Sequence, residues 1–262
     1  MKLGKSLLVE TIGWPMPLLH GDTGTLDRWL WLDKHLPQSD GSLRLLDLGC
    51  GSGAFTIGAA RKGYRALGLS FDTRNQGVAE ERARQCGATL TTFDQHDLRN
   101  LHTRTDLVDQ FDVVVMCEVI EHVLNDEKLL RDAARCVKPG GRLLLTTPNF
   151  DAKAIDPSHD GPFPTVEDGG HVRKGYREND LERLARAAGL SPNEFSYCTG
   201  LISQNLCKVF FRLARIHPVI AWSAVNPLRV LPPLLDDTIA RATRWPGYSI
   251  CMEAGRPLHT PA

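Results

Sequence analysis

The chain contains no Cys-x-x-Cys pair. Its seven cysteines (Cys50, Cys86, Cys117, Cys136, Cys198, Cys207, Cys251) are scattered and odd in number, which excludes a disulfide framework and offers no zinc-type spacing. A reducing, cytoplasmic setting is the expectation. Nor is there a surplus of either charge. Lys+Arg and Asp+Glu both count 31, for a formal net charge of +0, so the basic face needed to grip a polyphosphate backbone is missing and nucleic acid is not an expected partner. No run of about 18 apolar residues occurs, which excludes a bilayer-spanning helix. The start, MKLGKSLLVETIGWPMPLL, sets a basic residue before an apolar run, but Glu10, Pro15 and Pro17 interrupt it and no small-residue cleavage site follows. It reads as mature chain. With 23 Gly and 16 Pro in 262 residues, low-complexity and collagen-like chains are excluded as well.

What is present is an enzyme-sized unit with one main core and appendages. Residues 1–41 carry helical signals: Asp22 and Thr23 as N-caps, then Leu26, Trp29, Leu30 and Leu36 near helical spacing before Pro37. They predict an N-terminal helical cap. From Leu43 short apolar runs alternate with amphipathic stretches. LRLLDL is followed by a helix over 54–62, YRALGLS by a helix from Thr73 to about Cys86, and then come ATLTTF, FDVVVMC, a helix ending near CVKPGG, and RLLLTTP. Strands separated by helices imply right-handed crossovers and a parallel sheet covered on both faces. VKPGG reads as a helix stop and turn without chemistry. A long Asp-, Gly-, Pro- and His-rich loop follows Pro148, of the kind that is usually functional or disordered. A helix from Glu178 to Ala188 then leads to a strand near 194–198. About fifty residues of apolar, Pro-broken helix (201–247) precede a last strand at 248–254 within the closing segment 248–262. The core proper is expected over 42–200.

Asp47-Leu48-Gly49-Cys50-Gly51-Ser52-Gly53 stands where the first strand turns into the first helix. Alternate glycines let the backbone bend and let a ligand lie on bare main chain, at the sheet edge where open α/β folds bind ligands. Gly49, Gly51 and Ala54 also satisfy a dinucleotide fingerprint. Asp47 separates the readings, because a carboxylate there would crowd a pyrophosphate but suits a ligand with an ammonium group.

DLGCGSG, then FDVVVMCEVIEHV, then VKPGGRLLLTTPN closely resemble the class I S-adenosylmethionine-dependent methyltransferases, in particular the small-molecule group with the ubiquinone-pathway O-methyltransferases. The resemblance covers residues 43–200 and the last strand. It implies a Rossmann-like, seven-stranded, mostly parallel sheet with helices on both faces, the N-terminal cap and the helical insertion being additions. It implies S-adenosyl-L-methionine as cofactor, with S-adenosyl-L-homocysteine as product, and methyl transfer to a small-molecule acceptor, a hydroxyl or phenol first. Asp47, Gly49, Cys50, Gly51 and Gly53 would hold the methionine half. The family's ribose-binding acid falls on Ser70, a departure: either the Ser70 hydroxyl makes one weaker contact or Asp72 bends back to take its place. Asp97 and Leu98 match the adenine position, and Cys117 and Glu118 follow at the end of the fourth strand.

Methyl transfer is an in-line displacement, in which alignment supplies roughly 7–11 kcal/mol and a positioned base about 10²–10⁴-fold. His171 and His122 are the base candidates, His171 as base and His122 orienting the acceptor, with Glu121 beside them. Tyr176 would take the aromatic place of the H-x-x-x-[FY] stretch that similar enzymes often have after such a His, one residue late. DPSHD around His159 reads as turn chemistry rather than a metal clamp, so no metal ligand is assigned.

Across 201–247, Leu206, Val209, Phe210 and Leu213 predict an inward helix face opposite Lys208, Arg212 and Arg215. The segment reads as a cover on the core or on a second copy in a homodimer, as a lid over an apolar acceptor, or as a peripheral membrane patch. The competing functions are an NAD(P)-dependent oxidoreductase, against which Asp47 and the absence of a Tyr-x-x-x-Lys pair count, methyl transfer to N or C of a lipid-like or sugar acceptor, and a scaffold without catalysis.

Overall fold

The computed structural model describes residues 6–21 and 23–258. The chain opens with helices α1 (Leu7–Ile12), α2 (Met16–Leu19) and α3 (Thr23–His35). Asp22, the other expected N-cap, lies outside the described residues. The alternation that follows is β1 (Arg44–Leu48), α4 (Ala54–Arg61), β2 (Arg65–Ser70), α5 (Thr73–Gln85), β3 (Thr91–Gln95), β4 (Phe111–Cys117), α6 (Asp126–Cys136) and β5 (Val137–Pro148). After the long loop come α7 (Glu178–Ala187), β6 (Ser191–Cys198), α8 (Leu201–Ala214), α9 (Pro218–Val225), α10 (Pro232–Thr243) and β7 (Ser249–Gly255). The seven strands form one sheet in the order β3-β2-β1-β4-β5-β7-β6, parallel except for β7, which runs antiparallel to both its neighbours. This is the expected mostly parallel, Rossmann-like sheet.

Both faces of that sheet are covered, so neighbouring strand residues serve different cores. Leu46, Leu48, Val114, Met116, Leu143 and Leu145 pack with α6 and α7 through Leu129, Leu130, Leu181 and Leu184. Leu45, Val113, Val115 and Leu144 pack with Trp29 and Leu32 of α3, Leu36 just after it and Ala59 of α4. The chain reverses direction across the sheet between β1 and β4, and this opens a crevice at their carboxyl ends.

Two expectations are corrected. Val137–Gly141 is the irregular start of β5 rather than a free turn: the β4–β5 register shifts between Phe111 and Val113, and Lys138 Nζ holds Asp112 at 2.8 Å. In α8 the buried stripe is Ser203, Gln204, Leu206 and Cys207, while Val209 is 42 % exposed and Phe210 and Leu213 are half-buried. Hydrogen bonding makes that polar stripe the inner one. Gln204 Nε2 donates to the carbonyls of Thr199 (3.0 Å) and Pro246 (2.9 Å), Ser203 Oγ donates to Asp27 (2.5 Å), and Asp236 accepts from the backbone of Ile202 and Ser203. Satisfied buried polar groups cost little, so hydrophobicity alone picks the wrong face. The cap and the insertion also pack on each other. Trp222 Nε1 and Arg229 donate to the carbonyl of Leu19, and Arg229 also reaches that of Gly21.

Candidate functional site

The crevice holds the glycine turn. Gly49, Gly51 and Gly53 all have positive φ (79°, 52° and 81°), and the backbone N–H groups of Gly49 and Cys50 donate to the carbonyl of Leu69 at 3.0 and 2.9 Å, which ties the turn to the end of β2. The two later glycines differ in kind. A Cβ on Gly53 would meet Ala79 Cβ at 2.8 Å and the Phe93 ring at 3.1 Å, whereas a Cβ on Gly51 would meet nothing within 4 Å. Gly53 is demanded by packing, while Gly51 borders open space where a ligand can lie against main chain. Gly53→Ala is therefore expected to lower the thermal midpoint of the ligand-free protein more than Gly51→Ala does. Gly51→Ala, carrying a backbone cost of about 1–2 kcal/mol, should show its larger effect on ligand affinity. Thermal melts and calorimetry check the pair, and equal effects in both assays would remove the cradle.

Asp47 lies beneath the turn, 1 % exposed, with Thr56 Oγ1 donating to its Oδ2 at 2.6 Å. Burial pushes its pKa up to about 6, opposed only by the bonds from Thr56. A buried carboxylate without a cation at hand is what a ligand ammonium would relieve. Burial also pushes up the Cys50 and Cys117 thiols, leaving neither a thiolate.

The expected ribose and adenine residues are already engaged. Ser70 is buried and accepts from the backbone N–H of Asp72 at 3.3 Å. Asp72 caps α5, its Oδ1 accepting from Arg74 N at 2.9 Å. Asp97 caps a short 3-10 turn and accepts from Arg99 Nε through both oxygens at 2.9 Å, Arg99 in turn reaching Glu167. Leu98 belongs to the core. Both Asp positions act as N-caps. Arg82 of α5 places Nη1 2.5 Å from Ser52 Oγ in the glycine turn.

Beyond β4 is a cavity of about 200 Å³, lined by Gly24 and Arg28 of α3, Glu118, Glu121 and His122, Ile155, His159 and His171 of the long loop, Thr199 after β6, Cys207 and Phe211 of α8, and Tyr248. Glu118 has φ 53°, a conformation that non-glycine residues rarely keep without constraint. Its carboxylate accepts from Thr146 and Ser249 at 3.0 Å and faces Arg28 at 3.6 Å. Glu121 is fully buried. Thr147 donates to its Oε2 at 3.0 Å, Oε1 has no partner among the described residues, and burial beside Glu118 raises its pKa well above the usual range.

The long loop folds back over this cavity because Asn149 pairs with Tyr176 as an isolated bridge and Val172 N donates to the carbonyl of Glu121. That brings three histidines together. His122 Nδ1 lies 3.0 Å from the Gly170 carbonyl, which makes it the protonated nitrogen and leaves Nε2 as the acceptor, 3.9 Å from Glu121. The His171 ring meets His122 edge-on at 4.7 Å and stacks on His159 at 3.9 Å. Burial, with His159 and His122 adding to it, pushes its pKa down to about 3. His159 Nδ1 is 3.1 Å from Tyr248 Oη. Glu121, His122 and His171 bring donor atoms within 4.8 Å of one another, a grouping that could hold a metal ion although the sequence assigned none.

Sequence reasoning missed Arg28, His159 and Tyr248. Asp156 does cap the Pro157–Asp160 turn, as turn chemistry predicts, but the His159 side chain enters the cavity. Tyr176 stays out of it, its hydroxyl donating to Asp126 at 2.9 Å in a clamp with Arg173.

The sequence model of the methyltransferase domain matches residues 27–194, more than half of the chain. Among similar proteins are the ubiquinone biosynthesis O-methyltransferases of Aeromonas salmonicida (strain A449), 33 % identical over 58 % of this chain and 65 % of that protein, and of Azoarcus sp. (strain BH72), 29 % identical over 69 % and 76 %. The matched stretch thus spans slightly less than two thirds of the Aeromonas protein. The solved phosphoethanolamine N-methyltransferase 2 of Haemonchus contortus, in complex with S-adenosyl-L-methionine, superposes with a TM-score of 0.62 at 18 % identity, over 95 % of this chain and 59 % of that one. At that identity the likeness is one of fold.

Proposed function

The chain belongs to the methyltransferase domain family, and on that premise we propose that it moves the methyl group of S-adenosyl-L-methionine to a hydroxyl or phenol of a small-molecule acceptor, releasing S-adenosyl-L-homocysteine. The observation that carries this reading is Asp47, a desolvated carboxylate without a cation beneath an open glycine cradle, at the β1–β4 crevice. The names of the Aeromonas and Azoarcus relatives support oxygen as the acceptor atom, and none of the reported relatives lends support to an oxidoreductase.

When bound, the cofactor supplies an already activated methyl group. Asp47 would accept from its ammonium, and the Gly49–Gly53 turn would hold its methionine half on bare main chain. Ser70, Asp72 and Asp97 would have to share or exchange their present bonds to reach the ribose and the adenine. At the acceptor end, His122 is the better base and His171 the positioning residue, the reverse of the order that sequence suggested. A ring held near pKa 3 leaves a phenol of pKa about 10 almost wholly protonated. His122 keeps an Nε2 lone pair oriented by its Gly170 bond. Tyr248, Phe211 and Ile155 enclose the cavity and limit water.

A second reading keeps the reaction but puts a divalent cation among Glu121, His122 and His171, favoured by their donor atoms lying within 4.8 Å. Metal analysis of dialysed protein, with turnover before and after chelation, separates the two. A thermal-shift panel of S-adenosyl-L-homocysteine, NAD and NADP tests the cofactor assignment. Stabilisation by S-adenosyl-L-homocysteine alone is expected, at about 2.7 kcal/mol when the ligand is at a hundred times its Kd, and stabilisation by NAD alone would sink it.

A cytoplasmic location belongs to the same proposal, supported by the seven free thiols. Among the described residues no helix is long and apolar enough to cross a membrane. The outer face of the insertion is part of the reading as a contact surface, for which a membrane is favoured over a second copy of the chain.

A further inference from the structure

Residues 216–235 hold one Lys, Arg, Asp or Glu, namely Arg229. It is 2 % exposed, its guanidinium spent on the carbonyls of Leu19 and Gly21. The segment nevertheless faces outward. Ile216 is 74 % exposed, Val219 63 %, Ile220 51 %, Val230 63 % and Leu234 72 %. Nine of the nineteen exposed large apolar side chains among the described residues fall within 209–235, about a tenth of the chain. Helix α9, PVIAWSAV, turns Ala221 and Val225 inward and Val219, Ile220, Ser223 and Ala224 outward, so neither side carries charge. A surface helix ordinarily shows water a polar face, and an apolar patch this concentrated marks a contact site.

The charges stand at the two ends of the run. Arg212 and Arg215 precede it and Arg241 and Arg244 follow it, all exposed, while of the two acids in 201–247 Asp236 is buried and only Asp237 is exposed. A second copy docked on the same patch would bring like cations together. An anionic phospholipid surface complements both parts, with acyl chains for the uncharged middle and phosphates for the flanking arginines. We propose that the insertion seats the protein on an anionic membrane surface, with α9 and the start of α10 entering the headgroup boundary and Arg212, Arg215, Arg241 and Arg244 at the phosphates. The contact is interfacial. Cys207 and Phe211, on the inner side of α8, line the acceptor cavity, so the docked face and the cavity are two sides of one helical cover. This inference rests on the reading of the insertion as a contact surface and is independent of methyl transfer.

The test is co-flotation of the full chain with phosphatidylcholine vesicles that contain or lack phosphatidylglycerol. Binding to the anionic vesicles is expected, weakening as salt is raised. Val219→Glu with Ile220→Glu should reduce it by roughly tenfold or more. Arg212→Ala with Arg215→Ala should cost about fivefold per arginine on anionic vesicles and little on neutral ones. All four side chains are exposed, so melting temperatures should hold; Leu234→Glu replaces the first pair if that pair fails to fold. Absence of binding to anionic vesicles, or Glu variants that bind as well as the parent, would overturn the proposal. So would a concentration-dependent dimer that Ile220→Glu dissolves, which would assign the face to a second copy. Equal binding to neutral vesicles would overturn its anionic part. Loss of turnover on a water-soluble acceptor bears on methyl transfer alone.

Discussion

Asp47→Asn is expected to stabilise the ligand-free protein at pH 8 while weakening its hold on S-adenosyl-L-homocysteine. Asp47 is held near pKa 6 by burial, against an ordinary 3.8. A carboxyl whose folded pKa is raised favours the native state below its unfolded pKa and loses that benefit as pH rises through the folded value. Above about pH 6 the native protein therefore carries a buried charge with only Thr56 to compensate it. A rise of about two units corresponds to at most about 3 kcal/mol, which for a chain of this size is roughly 5–10 °C in thermal midpoint. Asparagine keeps an acceptor for Thr56 and removes the charge, so the gain should appear at pH 8 and vanish near pH 4. The same substitution removes the partner of the ligand ammonium and should weaken binding by about 1.5–3 kcal/mol, the scale of a charge-assisted bond. Opposite signs for stability and affinity distinguish a carboxylate kept for a ligand from one kept for the fold. Unchanged affinity in a folded Asp47→Asn protein would take Asp47 out of the site.

That carboxylate was legible in the sequence because its neighbours are local. A strand end, three glycines at alternate positions and a helix start are fixed by a few consecutive residues, and the whole β/α alternation follows from such short-range periodicity. The cavity beyond β4 was only half legible. His122 and Glu121 leave β4 and could be placed from the strand, but Arg28 arrives from α3, some ninety residues earlier, and Tyr248 from the far end of the insertion. Their convergence depends on crossovers that no local pattern encodes. His159 was read as part of a turn, correctly for the Asp156 cap, yet the cap says nothing of where the next-but-two side chain points. The inner face of α8 was misread for a different reason. Its buried Ser203 and Gln204 are held by Asp27, Thr199 and Pro246, long-range hydrogen bonds that offset the burial of polar atoms which a hydrophobic pattern counts against the face.

The largest kinetic effect is expected at His122, for an acceptor that is a hydroxyl or phenol. The Gly170 carbonyl holds the Nδ1 proton, so the free Nε2 has the orientation that proton abstraction needs. Removing such a base should lower kcat by about 10²–10⁴-fold with S-adenosyl-L-homocysteine affinity intact, and the loss should shrink for acceptors already ionised at the assay pH. His171 is wedged between His122 and His159 and, with its pKa near 3, stays neutral across the physiological range. His171→Ala should therefore raise KM more than it lowers kcat. Single-turnover rates for both variants over a series of phenols of graded acidity separate the roles. A His122→Ala loss of equal size for acidic and weakly acidic phenols would show that His122 takes no proton. If in addition the loss were accompanied by release of a bound divalent ion, the Glu121, His122 and His171 group would be a metal centre, and activation of the acceptor would pass from the imidazole to the cation.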